Sequence, residues 1–239
     1  GPNNRYGLFP TGSAAWVISD EDFFNVAPIS FLKLRLSYGA SGNDQIPNFA
    51  YRALLDGEGV YVFNDVITQG VALGRASNPD LKWESTRQFN AGLDMTFYEN
   101  FNMAANYFIK NTFDLLFQPD VSGVLGSYGP GGQPPVINAG DVSNKGFEFE
   151  LGYATNPRND LQFGANFNFT TISNKVLATP DGVDFLPGAT FGVGGNVATR
   201  FEEDFPIGYF VGLETAGIYQ NQEEIDNAEV VQEGAKPGD

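Results

Sequence analysis

Cysteine and histidine are both missing from these 239 residues. Without cysteine there are no disulfides and no thiolate chemistry. Without histidine, Ser-His-Asp and Cys-His catalysis and most zinc sites fall away. Positive charge is scarce: 13 Lys and Arg stand against 29 Asp and Glu, a net charge of −16. Nucleic acid is therefore a poor partner, because its phosphate backbone needs a basic surface. No stretch approaches the ~18 apolar residues of a membrane helix. The first residues, GPNNRYGLFP, show neither the charged nor the apolar segment of a signal peptide, so none is expected here.

What is abundant is glycine and aromatic: 29 Gly, 22 Phe and 10 Tyr. Helical periodicity is nearly absent. One short turn is expected, with Ser19 or Asp20 capping a run through Glu21, Phe23 and Phe24. Elsewhere the period is two. Phe31–Gly39 sets Leu32, Leu34, Leu36 and Tyr38 against Lys33, Arg35 and Ser37. The stretch from Trp83 to Phe97, then Phe101–Lys110, Gly146–Tyr153 and Leu161–Thr171 alternate in the same way. Weaker strands fall at about 9–18, 196–205 and 208–216.

The connections alternate in length. Short ones lie at Tyr98-Glu99-Asn100, at ATNPRND and near Pro206. Long ones, rich in Gly, Pro, Asn and Asp, run at about 40–81, 118–140 and 177–195. Tight turns on one side and long loops on the other are the signature of an up-and-down barrel across a membrane. Register supports this. A three-residue turn pairs Phe97 with Phe101, Met95 with Met103 and Leu93 with Ala105, apolar with apolar, whereas a two-residue turn mixes the faces. The turn is expected to place Asn100 in the left-handed conformation. The opposite face then pairs Gln88 with Lys110, Thr86 with Thr112 and Glu84 with Asp114. From Trp83 to Phe97 an extended chain reaches roughly 46 Å at about 3.3 Å per residue. Tilted, that is enough to cross an apolar band of ~25 Å. Trp83 at the loop end, and Phe97, Tyr98 and Phe101 at the turn end, read as two membrane girdles. Glu84, Gln88, Asn90, Asp94, Glu148 and Glu150 then face the lumen. A soluble all-β carbohydrate-binding domain uses the same period with its apolar face inward, and a passive porin or adhesin-like barrel uses it as drawn here.

Five ordered stretches carry a resemblance. RYGLFPTGSAAWVISDEDFF (5–24) is similar to a strand-and-turn with a "FPS.S.aW.is.E" core, and ISFLKLRLSYGASGN (29–43) to "LKLR.SYG.tGN". NPDLKWESTRQFNAGLDMTF (78–97) follows, then NAGDVSNKGFEFELGY (138–153), similar to "N.G.v.NkGfEl.l", and IGYFVGLETAGIYQNQEEI (207–225). Together they resemble the TonB-linked outer-membrane transporters of the SusC/RagA family from Bacteroidota. The resemblance implies a barrel of about 22 strands closed by a plug, with about seven or eight of them here, from the later part of the barrel. It implies a single barrel domain over 1–239, with plug and signal peptide outside these residues. It also implies import of oligosaccharides or peptides, a SusD-like surface lipoprotein as partner, TonB acting through the plug, and neither enzyme activity nor cofactor.

Other features have bland readings. Glu148 and Glu150 share a strand face, and such carboxylate pairs serve glycosidases, but an acidic lumen lining is the expectation. The cluster Gly192-Val193-Gly194-Gly195 has no following helix and reads as flexibility rather than a phosphate loop. Asn168-Phe169-Thr170 matches a glycosylation acceptor but lies mid-strand. Glu202, Glu203 and Asp204, and Glu223, Glu224 and Asp226, lack the oxygen spacing of a calcium loop. Cargo contacts are expected on the long loops, at Tyr51, Tyr61, Phe63 and Tyr128, whose rings can stack on a cargo.

Overall fold

The computed structural model describes residues 2–119, 133–156, 160–192, 195–212, 214, 217–228 and 234–238, with the backbone alone at 56–58 and 72–73. In chain order the strands are β1 (Thr11–Val17), β2 (Ile29–Asn43), β3 (Leu54–Phe63), β4 (Val66–Arg75), β5 (Glu84–Phe97) and β6 (Phe101–Phe113). After them come β7 (Leu116–Phe117), β8 (Ile137–Asn138), β9 (Asp141–Ala154) and β10 (Gly164–Ala178). Five short strands follow: β11 (Phe185–Pro187), β12 (Thr190–Phe191), β13 (Asn196–Val197), β14 (Thr199–Glu202) and β15 (Tyr209–Phe210). Helix α1 spans Gln222–Asp226. Among the described residues no helix is long and apolar enough to cross a membrane.

Six strands form one antiparallel sheet in the order β1-β2-β5-β6-β9-β10. The path is up-and-down, with residues 18–28, 98–100 and 155–163 joining strands at one end and 44–83 and 114–140 at the other. Seven or eight strands were expected in this wall. Among the described residues, 196–205 and 208–216 instead supply short strands, two of them in the small β11-β14-β15 sheet. Left-handed backbone at Asp204 (φ 74°) and Gly208 (φ 70°), with Pro206 between them, turns the chain before a long strand can form.

The β5–β6 register follows from the pairing of apolar with apolar. Phe97 lies opposite Phe101, Met95 opposite Met103, Leu93 opposite Ala105, Gln88 opposite Lys110 and Thr86 opposite Thr112. Two details correct the sequence reading. Tyr98 (φ 49°) and Glu99 (φ 60°) are left-handed, and Asn100 is not. Asn100 is already tied to β9: its carbonyl accepts from the Ala154 N–H at 3.0 Å and its side-chain amide donates to the Ala154 carbonyl at 2.8 Å. The reversal therefore falls on the two residues before it. Glu84 also does not pair with Asp114, because the ladder ends at Ser85 and Phe113 and Asp114 turns left-handed (φ 55°).

Register propagates across the sheet. Trp16, Leu34, Leu93, Ala105, Phe149 and Phe169 make one row through all six strands. Leu32, Met95, Met103, Leu151 and Phe167 make the next. These rows stay open: Leu34 is 39% exposed and Phe167 57%. Among the described residues, the buried hydrophobic cluster lies among the loops, around Ala50, Leu81 and Val136.

Several local features lie outside the sequence reading. The 44–83 connection contains the β3–β4 hairpin, turned by Asn64 (φ 49°) and Asp65 (φ 61°) between Phe63 and Val66. Two consecutive left-handed residues match the twist of the flanking strands. The turn expected from Ser19 begins earlier, at Ile18, and has no side-chain cap. Gly192 (φ 75°) and Gly195 (φ 66°) are left-handed beside the β12–β13 pair, and Val193 and Gly194 lie outside the described residues. The acidic run near 223 is part of α1: Asn221 caps the Glu224 N–H at 2.9 Å, and the Glu224 carboxylate accepts from the Gln220 N–H at 2.8 Å.

Candidate functional site

The polar face of the sheet is built by the same alternation that makes the apolar rows. Arg35 on β2 lies beside Gly92 on β5. Its guanidinium forms a fork with Asp94, at 2.8 Å from Nε and 2.7 Å from a terminal nitrogen. The same terminal nitrogen donates to the Asn106 side chain at 2.8 Å. Gly92 makes this reach possible. A Cβ there would lie 2.6 Å from the Asn106 Oδ1 and 2.9 Å from the Arg35 guanidinium. Nearer the loop end, the Gln88 amide donates to Asn90 at 2.8 Å, and the Asn90 amide donates to Ser37 at 3.0 Å. Thr86 and Thr112 share a hydrogen bond at 3.1 Å. Glu84 accepts from the Asn43 side chain at 3.3 Å and from the Leu116 N–H at 3.2 Å. Glu148 and Glu150 lie on this face too, aligned through Asn106 and Ala104 with Gly92 and Asp94, and both are exposed.

Aromatic rings gather at the turn end. Phe97 stacks on Phe101 at 5.1 Å, Phe101 meets Tyr153 at 4.8 Å, and Tyr153 meets Phe163 at 5.6 Å. Tyr98 is 6.0 Å from Phe97. Tyr153 and Phe163 extend the cluster beyond the three rings singled out from sequence. Their place follows from the β6–β9 register, which local periodicity does not give. Trp83 lies one residue before β5 at the opposite end, 5.7 Å from Phe9, with its indole N–H donating to the Asn4 carbonyl at 3.0 Å.

The loop aromatics part company. Tyr61 and Phe63 project from one face of β3 and are exposed. Tyr51 instead packs against the Ala50, Leu81 and Val136 cluster, with the Arg52 guanidinium 5.5 Å from its ring and 5.1 Å from Phe49. Tyr128 lies outside the described residues.

A second polar group sits on the β11-β14-β15 sheet. Arg200 lies over the Phe185 ring at 4.0 Å and reaches Glu202 at 3.7 Å. The Tyr209 hydroxyl donates to Glu202, and the Phe205 ring stacks on Tyr209 at 4.5 Å. The hydrogen bond to the Glu202 carboxylate, then desolvation and the carboxylate's charge, hold the Tyr209 phenol above its ordinary value. Two members of the acidic run 202–204 are engaged in ion pairs: Glu202 with Arg200, and Asp204 with Lys175 at 2.7 Å. Among the described residues no group of acidic side chains is placed to hold a metal ion. Asn168 faces the polar side of β10 opposite Glu150.

Comparison with known proteins gives a consistent result. A family model described as "TonB dependent receptor-like, beta-barrel" matches residues 1–232. The chain is 34% identical to TonB-dependent receptor P3 of Formosa agariphila over 225 residues, covering 91% of this chain and 22% of that protein. It is 30% identical to TonB-dependent receptor SusC of Bacteroides thetaiotaomicron over 194 residues, covering 76% of this chain and 18% of that protein. The fold superposes on the RagAB peptide transporter with a TM-score of 0.75 at 25% identity, covering 92% of this chain and 23% of that one. The chain thus spans about a fifth of the length of the curated relatives it matches.

Proposed function

The chain belongs to the TonB-dependent receptor-like β-barrel family of the outer membrane, in its SusC/RagA type, and from that premise we propose that the protein imports large nutrients. The cargo is an oligosaccharide or a peptide. TonB energises the import through a plug, and a SusD-like lipoprotein covers the outer mouth. Residues 1–239 form part of one barrel domain and contribute wall and outer loops, with no catalytic step.

The observation that carries this reading is the division of one sheet into two faces. Rows such as Leu34-Leu93-Ala105-Phe149 are apolar from strand to strand, while Arg35, Asp94, Asn106 and Glu148 face the other way. Backbone polar groups paired across strands, with one apolar face, are what a bilayer accepts from a strand. In this reading the apolar rows meet lipid. Phe97, Tyr98 and Phe101 mark one interface and Trp83 the other. Glu84, Gln88, Asn90, Asp94, Glu148 and Glu150 line the lumen, and Tyr61 and Phe63 are offered to cargo from the β3–β4 hairpin.

The test is uptake by the complete transporter in cells with and without TonB. A labelled peptide mixture and a labelled neutral oligosaccharide mixture serve as cargo. Uptake of either that stops when TonB is deleted is the expected result. Equal uptake in both strains would make the protein a passive porin.

A further inference from the structure

We propose that Arg87 and Lys145 bind the phosphate headgroup of an anionic lipid, in the leaflet on the loop side of the membrane. The inference rests on the reading that the apolar rows meet lipid, and it adds a ligand to that surface. On the six-stranded sheet the cations of the apolar face are Arg87 on β5, Lys145 on β9 and Lys175 on β10. All lie toward the loop end, and all are exposed. Their heights can be taken from the ring at the turn end of each strand. At about 3.3 Å per residue and a tilt of about 45°, Arg87 stands roughly 23 Å above Phe97. On the same measure Lys145 stands roughly 19 Å above Tyr153, and Lys175 roughly 28 Å above Phe163. These heights bracket the ~25 Å apolar band. The cations therefore mark its outer edge, where lipid headgroups begin. From there to the turn end the apolar rows carry no Asp or Glu among the described residues. That is in a chain with 29 acidic residues against 13 basic ones.

Arg87 and Lys145 carry the site. Strand β5 runs between β2 and β6, and β9 between β6 and β10, so the strands beside both cations are all described. Arg87 lies opposite Ala40 and Asn111, and Lys145 opposite Ile109 and Ser173. None of these is acidic, and neither cation has a carboxylate partner among the described residues. Lys175 differs, because its amine already meets Asp204 at 2.7 Å. The Arg87 guanidinium rests 5.1 Å from the Phe113 ring centre. Across two strand spacings and two residues, Arg87 and Lys145 are roughly 12 Å apart at the backbone. Two long side chains can close that distance on one headgroup. A cation held at the edge of hydrocarbon without a counter-charge is costly. A lipid phosphate supplies that charge at the right height, and a guanidinium pairs with its oxygens two at a time. Cargo has no access to these residues in this reading, since Asp94, Glu148 and Glu150 mark the opposite face.

The experiment uses the full-length transporter in neutral detergent, read by native mass spectrometry. Phosphatidylglycerol and phosphatidylcholine are the two probes. Phosphatidylglycerol should bind at least about tenfold tighter, because an anionic lipid gains from each nearby cation. The double variant Arg87→Gln with Lys145→Gln should bring the two lipids within about twofold. Lys110→Gln removes a like charge from the polar face and should leave the preference intact. If the double variant shows no heat-modifiable folded band, Lys145→Gln alone decides, with the preference cut at least about threefold.

Equal binding of the two lipids, or a preference that survives these substitutions, would overturn the site. An equal loss in Lys110→Gln would make net charge rather than position the cause, and overturn it too. Displacement of phosphatidylglycerol by millimolar inorganic phosphate would make the ligand a free anion and overturn it as well. TonB-dependent uptake by a transporter without a lipid preference would remove the site and leave the import reading standing. A preference erased by the double substitution, in a transporter whose uptake ignores TonB, would keep the site and remove the import reading.

Discussion

Leu93 and Asp94 are consecutive in β5 and live in opposite environments. Leu93 continues an apolar row across six strands, whereas Asp94 holds the guanidinium of Arg35 on the polar face. The two faces obey different rules. On the apolar face, proposed to meet lipid, the row matters more than any one residue, because lipid tolerates no stray charge. On the polar face individual hydrogen bonds matter, and Gly92 is there to let one of them form. Losing the distinction between the faces should be worse than damaging either.

Deleting Glu99 shifts every residue after the turn to the other face, relative to β5. The expected outcome is no heat-modifiable folded band at all, read on a gel with and without boiling. Leu93→Arg comes next. A cation at mid-depth on the lipid side should cost about 2–4 kcal/mol in denaturant titrations from lipid vesicles. Gly92→Ala should cost about 1 kcal/mol by pushing Arg35 off Asn106. That cost should shrink in an Arg35→Met background, where nothing is left to displace. Asp94→Asn should cost under about 1 kcal/mol, and less still at high salt, because Arg35 is 39% exposed. The smallest effect sits off the sheet. Tyr209 has its phenol raised above the ordinary value by Glu202, so the interaction is present below about pH 10 and fades as pH rises past the raised value. Tyr209→Phe should remove one late-titrating phenol from the ultraviolet difference spectrum. Loss of an early-titrating one would reverse the assignment.

The wall was legible because its information is local and repetitive. Leu32, Leu34, Leu36 and Tyr38 alternate within one strand, and a single turn of known length aligns two strands. The β3–β4 hairpin was hidden because Val60, Tyr61, Val62 and Phe63 are apolar in succession and leave no period to count. Asn64-Asp65 between Val62-Phe63 and Val66-Ile67 was the available signal. The identity of the left-handed turn residues was misread because it depends on Ala154, 54 residues beyond Asn100. A cavity of about 330 Å³ beside Arg200, walled by Leu116, Phe117, Leu186, Phe201 and Ile207, had no sequence signature. Its walls are brought together by strands of two to four residues that no propensity scale marks.

The division of faces can be measured directly, since these residues contain no cysteine to confuse a label. Single substitutions Leu93→Cys, Asp94→Cys, Phe149→Cys and Glu150→Cys in the complete transporter would each carry an environment-sensitive fluorophore. Brominated lipids and aqueous iodide serve as quenchers in the same vesicles. The predicted result is alternation: lipid quenches positions 93 and 149, and iodide reaches positions 94 and 150. Equal quenching of neighbouring positions, or lipid quenching at 94 and 150, would contradict the orientation of the wall.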